Sequence, residues 1–490
     1  MPRRMRALSL VTVLVLSVVS AGVAAPAGAQ TATEPERIDS CRTISEPGQY
    51  VLTEDVENAS ETCIEITASD VVLDGDGHTI GGVQTNTTLD AFVAASYGDA
   101  VDNETNATVD DGTATPWNPR FGNVGVAANA SGGQSNVTVT DLTVRNFVFG
   151  VYYGSVTDGR IANVTAAGNG DGLELYGSQV TVSNATLTDN AWGAFAWNSS
   201  DSEFAGVTAA DNRETGVYVS EATNVTVAGA SANDNGASGV LLDAVTGGSV
   251  VDVEASGNQY AGVALFGSSG NFLVNVTASG TGNAGVGLFE ESTANVFSDL
   301  TVTDTTGADN VSAASGYSAG VAVENGSSGN QFVDVVATNN TGWAYYAANG
   351  SADNVVSNLT LADDSTVSLS GTDVAVALAD DRPTPPEGTT AVDPYLDVDD
   401  TSDAATAALN VSYAPGAVES IDEGTLGLQV YDGSEWTAVE DSAVNEERNY
   451  VTGNLTAFGV VAPVGGTNAT DAASDSGDGN ATAVGGAGAD

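Results

Sequence analysis

An all-β solenoid, a parallel β-helix of about ten coils with a small β-sandwich-like domain after it, is what this 490-residue sequence predicts. Three observations carry that expectation. A glycine recurs at Gly150, Gly172, Gly193, Gly216, Gly239, Gly262 and Gly285, in steps of 21 to 23 residues, and Gly320 follows one step and an insertion later. Each repeat holds two or three short β-type runs separated by turn residues, as in Gly216-Val-Tyr-Val, Val225-Thr-Val and Asn233-Asp-Asn-Gly. No segment has helical periodicity, and each run is too short to bury a core alone. Stacked coils bury theirs together, about 4.8 Å apart, as a rod on the order of 50 Å long. Parallel strands joined by crossovers of this kind wind right-handed.

The elements follow in order. Residues 1–29 read as an export signal: Arg3, Arg4 and Arg6, an apolar run from Leu8 to Ala25, and small residues before Gln30. The Arg3-Arg4 pair partly matches a twin-arginine signal. No later run has the roughly 18 apolar residues of a membrane span, so the exported chain is expected outside the cell or at its surface. Residues 30–80 are read as an N-terminal cap with the first coils, and 81–123 as an acidic inserted loop. The parallel β-helix itself is placed at 124–378. Residues 379–392, around Arg382-Pro-Thr-Pro-Pro, read as a linker, 393–463 as the small β domain, and 464–490 as a disordered acidic tail.

Alternation assigns faces within the repeat. The first and third residues after each glycine are apolar and face inward: Val151 and Tyr153, Leu173 and Leu175, Val217 and Val219, Val263 and Leu265. Asn169, Asn190, Asn212, Asn235 and Asn258 recur in register and are expected as a stacked turn ladder with left-handed backbone. Cys41 and Cys63, in an exported chain, are expected as a disulfide.

The formal net charge is −53, and all 11 basic residues are arginine. Such a surface strains a fold in dilute buffer and is tolerated in molar salt, where the Debye length falls to about 3 Å. Extreme halophily is the expectation. Nucleic acid is excluded as a partner, because no basic patch exists to meet phosphates. About 20 Asn-x-Ser/Thr sequons, among them Asn163, Asn224, Asn275 and Asn358, are candidate glycan sites.

The stretch Cys41-Arg-Thr-Ile-Ser-Glu-Pro-Gly-Gln-Tyr-Val-Leu-Thr, followed by Cys63-Ile-Glu-Ile and Leu73-Asp-Gly-Asp-Gly-His-Thr-Ile80, resembles the opening coils of NosD-like, carbohydrate-associated right-handed β-helix proteins. With the repeats, the resemblance covers roughly residues 40–375. It implies the fold, and a family that mixes polysaccharide-active enzymes, surface proteins and copper-site maturation factors. Ala408-Leu-Asn-Val-Ser-Tyr-Ala-Pro415, Leu428-Gln-Val-Tyr-Asp-Gly-Ser-Glu-Trp436 and Ala457-Phe-Gly-Val-Val461 resemble the domain that precedes the surface anchor of many haloarchaeal exported proteins, the PGF-pre-PGF type. The Pro-Gly-Phe tripeptide and hydrophobic helix that follow it in that family do not occur here.

Copper needs thiolate, thioether or imidazole ligands, and beyond the signal the chain offers one histidine, His78, and no methionine. No copper site is expected. Asp74, Asp76 and His78 could serve acid–base chemistry but read first as a turn. Arg145, Arg160 and Arg213 are the arginines within the coils. Binding is the stronger reading. The second and fourth residues after each glycine should point outward, and they include Tyr152, Glu174, Tyr176, Phe195, Trp197, Tyr218, Asp243, Phe266 and Phe289. Aromatic faces stack on sugar rings, carboxylates accept from hydroxyls, and the coil spacing approximates a sugar repeat. These nine are the candidate glycan-binding residues. Asp189, Asp211 and Asp234 form a column that could take calcium, the one cofactor the sequence suggests. The expected function is therefore an exported surface β-helix, structural or glycan-binding. The alternative is a polysaccharide lyase, epimerase or hydrolase working on the same face.

Overall fold

The computed structural model describes residues 34–84, 123–307, 318–362 and 365–468. Expectations placed on the signal, on most of the inserted loop and on the acidic tail lie outside these residues.

Consecutive coils stack in parallel register. One lateral sheet, here sheet 1, runs through residues 42–44, 64–66, 124–128, 149–154, 171–176, 192–197, 217–220, 240–243, 261–266, 284–289, 319–323 and 345–347. These twelve strands are two more than the roughly ten coils expected; strands 42–44, 64–66 and 345–347 lack the repeat glycine, and 124–128 carries it as Gly125. Sheet 2 starts at 36–38 and 48–52 and continues through 71–74, 137–140, 159–162 and 180–183. Sheet 3 is short, from 56–59 to 208–210. Beyond it, strands such as 249–254 and 272–279 run through the corner that separates sheets 2 and 3.

Inside, the apolar residues that follow the glycines pack as predicted. Val151, Leu173, Val217, Val240 and Val263 have no exposed surface, and neither have Tyr153, Leu175 and Val219. Sheet 2 adds Ile161, Val182, Phe204 and Val227 from the opposite wall. Corners are turned by single left-handed residues, mostly Asn and Asp: Asn163, Asn184, Asp252, Asn275 and Asp299 recur at one corner, with φ near 55°. These residue types tolerate that conformation, since a short polar side chain bonds locally. The repeat glycines have a different duty. A Cβ on Gly193 would stand 2.3 Å from the carbonyl oxygen of Gly216 in the next coil, so only hydrogen fits.

The asparagine ladder forms, with one correction. Asn235 donates from Nδ2 to Asn258 Oδ1 at 2.9 Å and to the Ala209 carbonyl at 3.0 Å. Its own Oδ1 accepts from the amide and Nδ2 of Asn212. Asn169, Asn190 and Asn212 repeat the pattern. The ladder residues are not left-handed, however: the positive φ belongs to the residue before each, Gly168, Asp189, Asp211, Asp234 and Gly257. That neighbour turns the chain and frees the asparagine to point inward, where it is buried. A second ladder, Asn271, Asn295, Asn330 and Asn354, lines another corner.

Cys41 and Cys63 are disulfide-bonded, 22 residues or one coil apart. At the other end the polarity of stacking changes. Strand 354–362 of sheet 2 pairs antiparallel with 365–372, then 406–412 and 450–455. Strand 345–347 of sheet 1 is continued antiparallel by 374–378, 396–400 and 459–466. The strands expected as a separate small sandwich thus extend both solenoid sheets. They have no core of their own, because Val398, Val411 and Val461 join one buried cluster that reaches back to Ile38. Among the described residues no helix is long and apolar enough to cross a membrane.

Candidate functional site

Sheet 1 turns its second face away from the core, and the nine candidate residues lie on it. One outward column reads Tyr152, Glu174, Phe195, Tyr218 and Leu241, and another reads Tyr176, Trp197, Ser220, Asp243, Phe266 and Phe289. The rings do not stand apart as separate platforms. Phe195 meets Tyr218 edge-on at 4.8 Å, Tyr176 lies 4.7 Å from Trp197, and Phe266 lies 5.0 Å from Phe289. Coil spacing brings successive rings within aromatic contact distance, so the column becomes a cohesive apolar strip.

Burial along this strip is uneven. Tyr152, Phe195 and Phe289 are buried although they face away from the core, whereas Tyr176, Trp197, Tyr218, Asp243 and Phe266 are half-buried. An outward position predicts direction, not access, and the alternation that assigned the faces contains no information about what lies over them.

A third column on the same face was missed by sequence reasoning. The residue before each repeat glycine also faces outward, packing with the outward residues rather than with the core. It meets the residue three places on: Phe149 touches Tyr152 at 5.9 Å, and Trp192 touches Phe195 at 6.0 Å. In the coil between them the equivalent pair is Asp171 and Glu174, facing each other. The signal was present in Phe149, Asp171 and Trp192 at fixed offset, but simple alternation predicts that this position faces inward.

Asp171 and Glu174 have no exposed surface to speak of, and apart from each other no group of the described residues bonds their four oxygens. Burial raises both carboxyls above the usual carboxylate range, and for Glu174 the neighbouring Asp171 raises it further. Tyr152 is pushed up to about 12 by burial and then by Glu174. Two coils on, Tyr218 donates its hydroxyl to Asp243 Oδ2 at 2.8 Å, and Ser220 donates to the same oxygen at 3.3 Å. Burial foremost, then Asp243, raises the Tyr218 phenol.

The other candidates fall into structural roles. His78 Nδ1 lies 3.1 Å from Asp55 Oδ1, which also accepts the Thr79 amide, while Asp74 accepts the amide of Asp76. Those two bonds, the Thr79 amide first, hold the Asp55 carboxyl below its ordinary range. Asp-Gly-Asp-Gly-His is therefore a turn tied to the coil before it. Arg145 pairs with Glu57. Asp189, Asp211 and Asp234 are left-handed corner residues, each placed where the backbone needs that conformation. Among the described residues no three metal-ligating side chains converge.

A family model described as the right-handed β-helix region matches residues 124–252. Three solved structures are similar in fold. The A-module of a mannuronan C-5 epimerase from Azotobacter vinelandii is 16% identical over 67% of this chain and 91% of that one, with a TM-score of 0.45. The tailspike protein of Dettilon is 13% identical over 88% of this chain and 87% of that one, with a TM-score of 0.47. A periplasmic alginate epimerase is 11% identical over 57% and 68%, with a TM-score of 0.35. No curated protein matches the chain.

Proposed function

We propose that this chain is an exported surface or secreted β-helix protein that binds a glycan along the outer face of sheet 1, in the molar salt its charge suits. The observation that carries the reading is the half-buried run Tyr176, Trp197, Tyr218, Asp243 and Phe266 on five successive coils. Such a run offers ring faces and hydrogen-bonding groups together, at a repeat near that of a sugar chain. A solenoid needs none of these aromatics for its own core, which is filled from the inward columns.

The test is size-exclusion chromatography of the purified protein in molar salt with a panel of neutral and acidic polysaccharides, following protein retention and polymer length together. Co-elution without shortening, weakened by Trp197→Ala and by Tyr218→Ala, supports the binding reading. Shortened polymer replaces it with a polysaccharide-active enzyme on the same face. No effect across the panel leaves a structural surface protein.

A further inference from the structure

The corner between sheets 2 and 3 holds a cleft of about 590 Å³ near its C-terminal end. Two rows of side chains line it. One is the corner column itself, Asn275, Asp299, Asp334 and Asn358, exposed and left-handed, with φ between 54° and 58°. The other lies two residues further along each strand. Thr301, Val336 and Thr360 stand in register on adjacent parallel strands, and Thr366 continues the row on the first antiparallel strand. Ser412 closes it from the strand after that. The residue between the rows points into the core in every coil, as Leu300, Val335 and Leu359 show, so the rows flank the corner from either side. Concavity belongs to the corner rather than to one coil: a second cleft, of about 380 Å³, lies upstream between Asp141 and Thr143, Asn163 and Thr165.

The fold leaves many of the groups that face the larger cleft unused. Asn275 and Asn358 each donate from Nδ2 to the carboxylate of the coil before, Asp252 at 2.7 Å and Asp334 at 2.8 Å, and each keeps its Oδ1 for another donor. Asp299 accepts one side-chain bond, from Ser298 Oγ at 2.7 Å. The hydroxyls of Thr301, Thr360, Thr366 and Ser412 bond nothing among the described residues. A hydroxyl donates and accepts, whereas carboxylate and carboxamide oxygens only accept. The cleft is therefore rich in acceptors, no basic side chain lines it, and Val336 gives it one apolar spot midway along the hydroxyl row. An anionic ligand would meet two carboxylates and no cation. A ligand that offers hydroxyl donors at regular intervals on an uncharged body fits. Strands step along the cleft by about 4.8 Å, close to the advance per residue of an extended β-1,4-linked sugar chain, and the four steps from Thr301 to Ser412 make roughly 19 Å. Concave sites with a few converging polar groups are where such ligands bind.

We propose that this cleft is a second carbohydrate site, separate from the outer face of sheet 1, for about four residues of a neutral β-1,4-linked polysaccharide. Hydroxyls on one edge of the sugar chain donate to Asp299, Asp334 and the two carboxamide oxygens. Those on the other edge exchange bonds with Thr301, Thr360 and Thr366, and Val336 lies under the less polar face of a ring. The change from parallel to antiparallel pairing falls within the site, so the repeat and its terminator both contribute to it.

The experiment is titration calorimetry of the full chain in molar sodium chloride with neutral β-1,4-linked hexasaccharides of glucose and of mannose, a uronate hexasaccharide, and calcium chloride alone. Each titration is repeated in a Trp197→Ala, Tyr218→Ala background, which removes sugar held by sheet 1. Thr301→Val and Thr360→Val, added together to that background, delete two hydroxyls at nearly constant shape from half-buried strand positions, and circular dichroism confirms the fold. The expected result is that one neutral hexasaccharide binds in the background and is weakened about tenfold or more by the two valines, the effect of two lost hydrogen bonds to ligand. Binding that the valines leave intact overturns the proposal, and so does a uronate that binds as tightly. If the unsubstituted protein binds and the background does not, the sugar belongs to sheet 1 and the cleft is refuted while that face stands. If neither binds any neutral hexasaccharide, the cleft is refuted as a sugar site. Calcium binding that Asp299→Asn abolishes, with no sugar bound, makes the corner a cation site instead.

Discussion

Asn235→Ala should cost this solenoid about 4 kcal/mol, far more than the loss of one neutral side chain on a surface turn. Asn235 is 1% exposed, and its side chain takes part in four hydrogen bonds: two donated, to Asn258 Oδ1 and the Ala209 carbonyl, and two accepted, from the amide and Nδ2 of Asn212. Alanine removes them all and leaves at least two buried groups unpaired, the Asn212 amide and the Ala209 carbonyl. At roughly 1–3 kcal/mol for each such group, the sum lies near 4. Asn233→Ala is the control two residues away: its side chain is half-buried, bonds Ser231 Oγ and the Ser256 amide, and has water as a substitute. It should cost about 1 kcal/mol. Urea unfolding in molar salt gives the global figure. Native-state hydrogen exchange gives the local one, since a stacked array need not unfold as a single unit. The Asn212 amide should lose protection first. An Asn235→Ala penalty no larger than that of Asn233→Ala would refute the claim that the ladder stabilises the stack.

Replacing Cys41 and Cys63 by serine opens a crosslink spanning 22 residues and should lower stability by about 3 kcal/mol, seen as early loss of exchange protection in the first coils. Gly193→Ala drives a methyl into the Gly216 carbonyl and should destabilise by about 2–3 kcal/mol, measured by urea midpoint, even though alanine is the smallest possible addition. Burial pushes Glu324 up to about 7, so the folded chain holds a proton there that the unfolded chain has released. The stability this group contributes is therefore full below about pH 4.5 and is lost as pH rises to about 7, by up to about 2 kcal/mol after allowance for partial solvation. Unfolding at fixed salt across that range should show the decline, and Glu324→Gln should flatten it.

The core was legible because its code is redundant. Val217, Val240 and Val263 repeat the same instruction at the same offset, and a single misreading is outvoted by its neighbours above and below. The ladder asparagines were legible as a column for the same reason, but their backbone was not, since Asp234 and Asn235 are adjacent and both favour turns. The candidate face was only half legible. Tyr218 and Trp197 announce themselves by type and register, whereas Asp171 sits where alternation predicts an inward residue and yet lies beside Glu174. The sequons have a structural origin as well. Asn163-Val-Thr and Asn275-Val-Thr each consist of a left-handed corner asparagine, an inward valine and a strand threonine, and Asn224-Val-Thr repeats the pattern at another corner. Asp141-Leu-Thr and Asp299-Leu-Thr fill the corner of Asn163 and Asn275 with aspartate instead. The coil itself writes the tripeptide, whether or not a sugar is ever attached.

The change from parallel to antiparallel pairing after residue 362 separates two properties that usually travel together, the length of a stack and the way it stops. Parallel coils alone would end in an open edge ready to accept another chain. Here the last parallel strands hand over to partners running the other way, and termination is encoded once, downstream of the repeats. Evolution can then add or delete a whole coil upstream without redesigning the end. The rod behaves as a ruler whose graduations are interchangeable and whose stop is permanent, so reach, and with it the span of any ligand along the face, is open to selection one coil at a time.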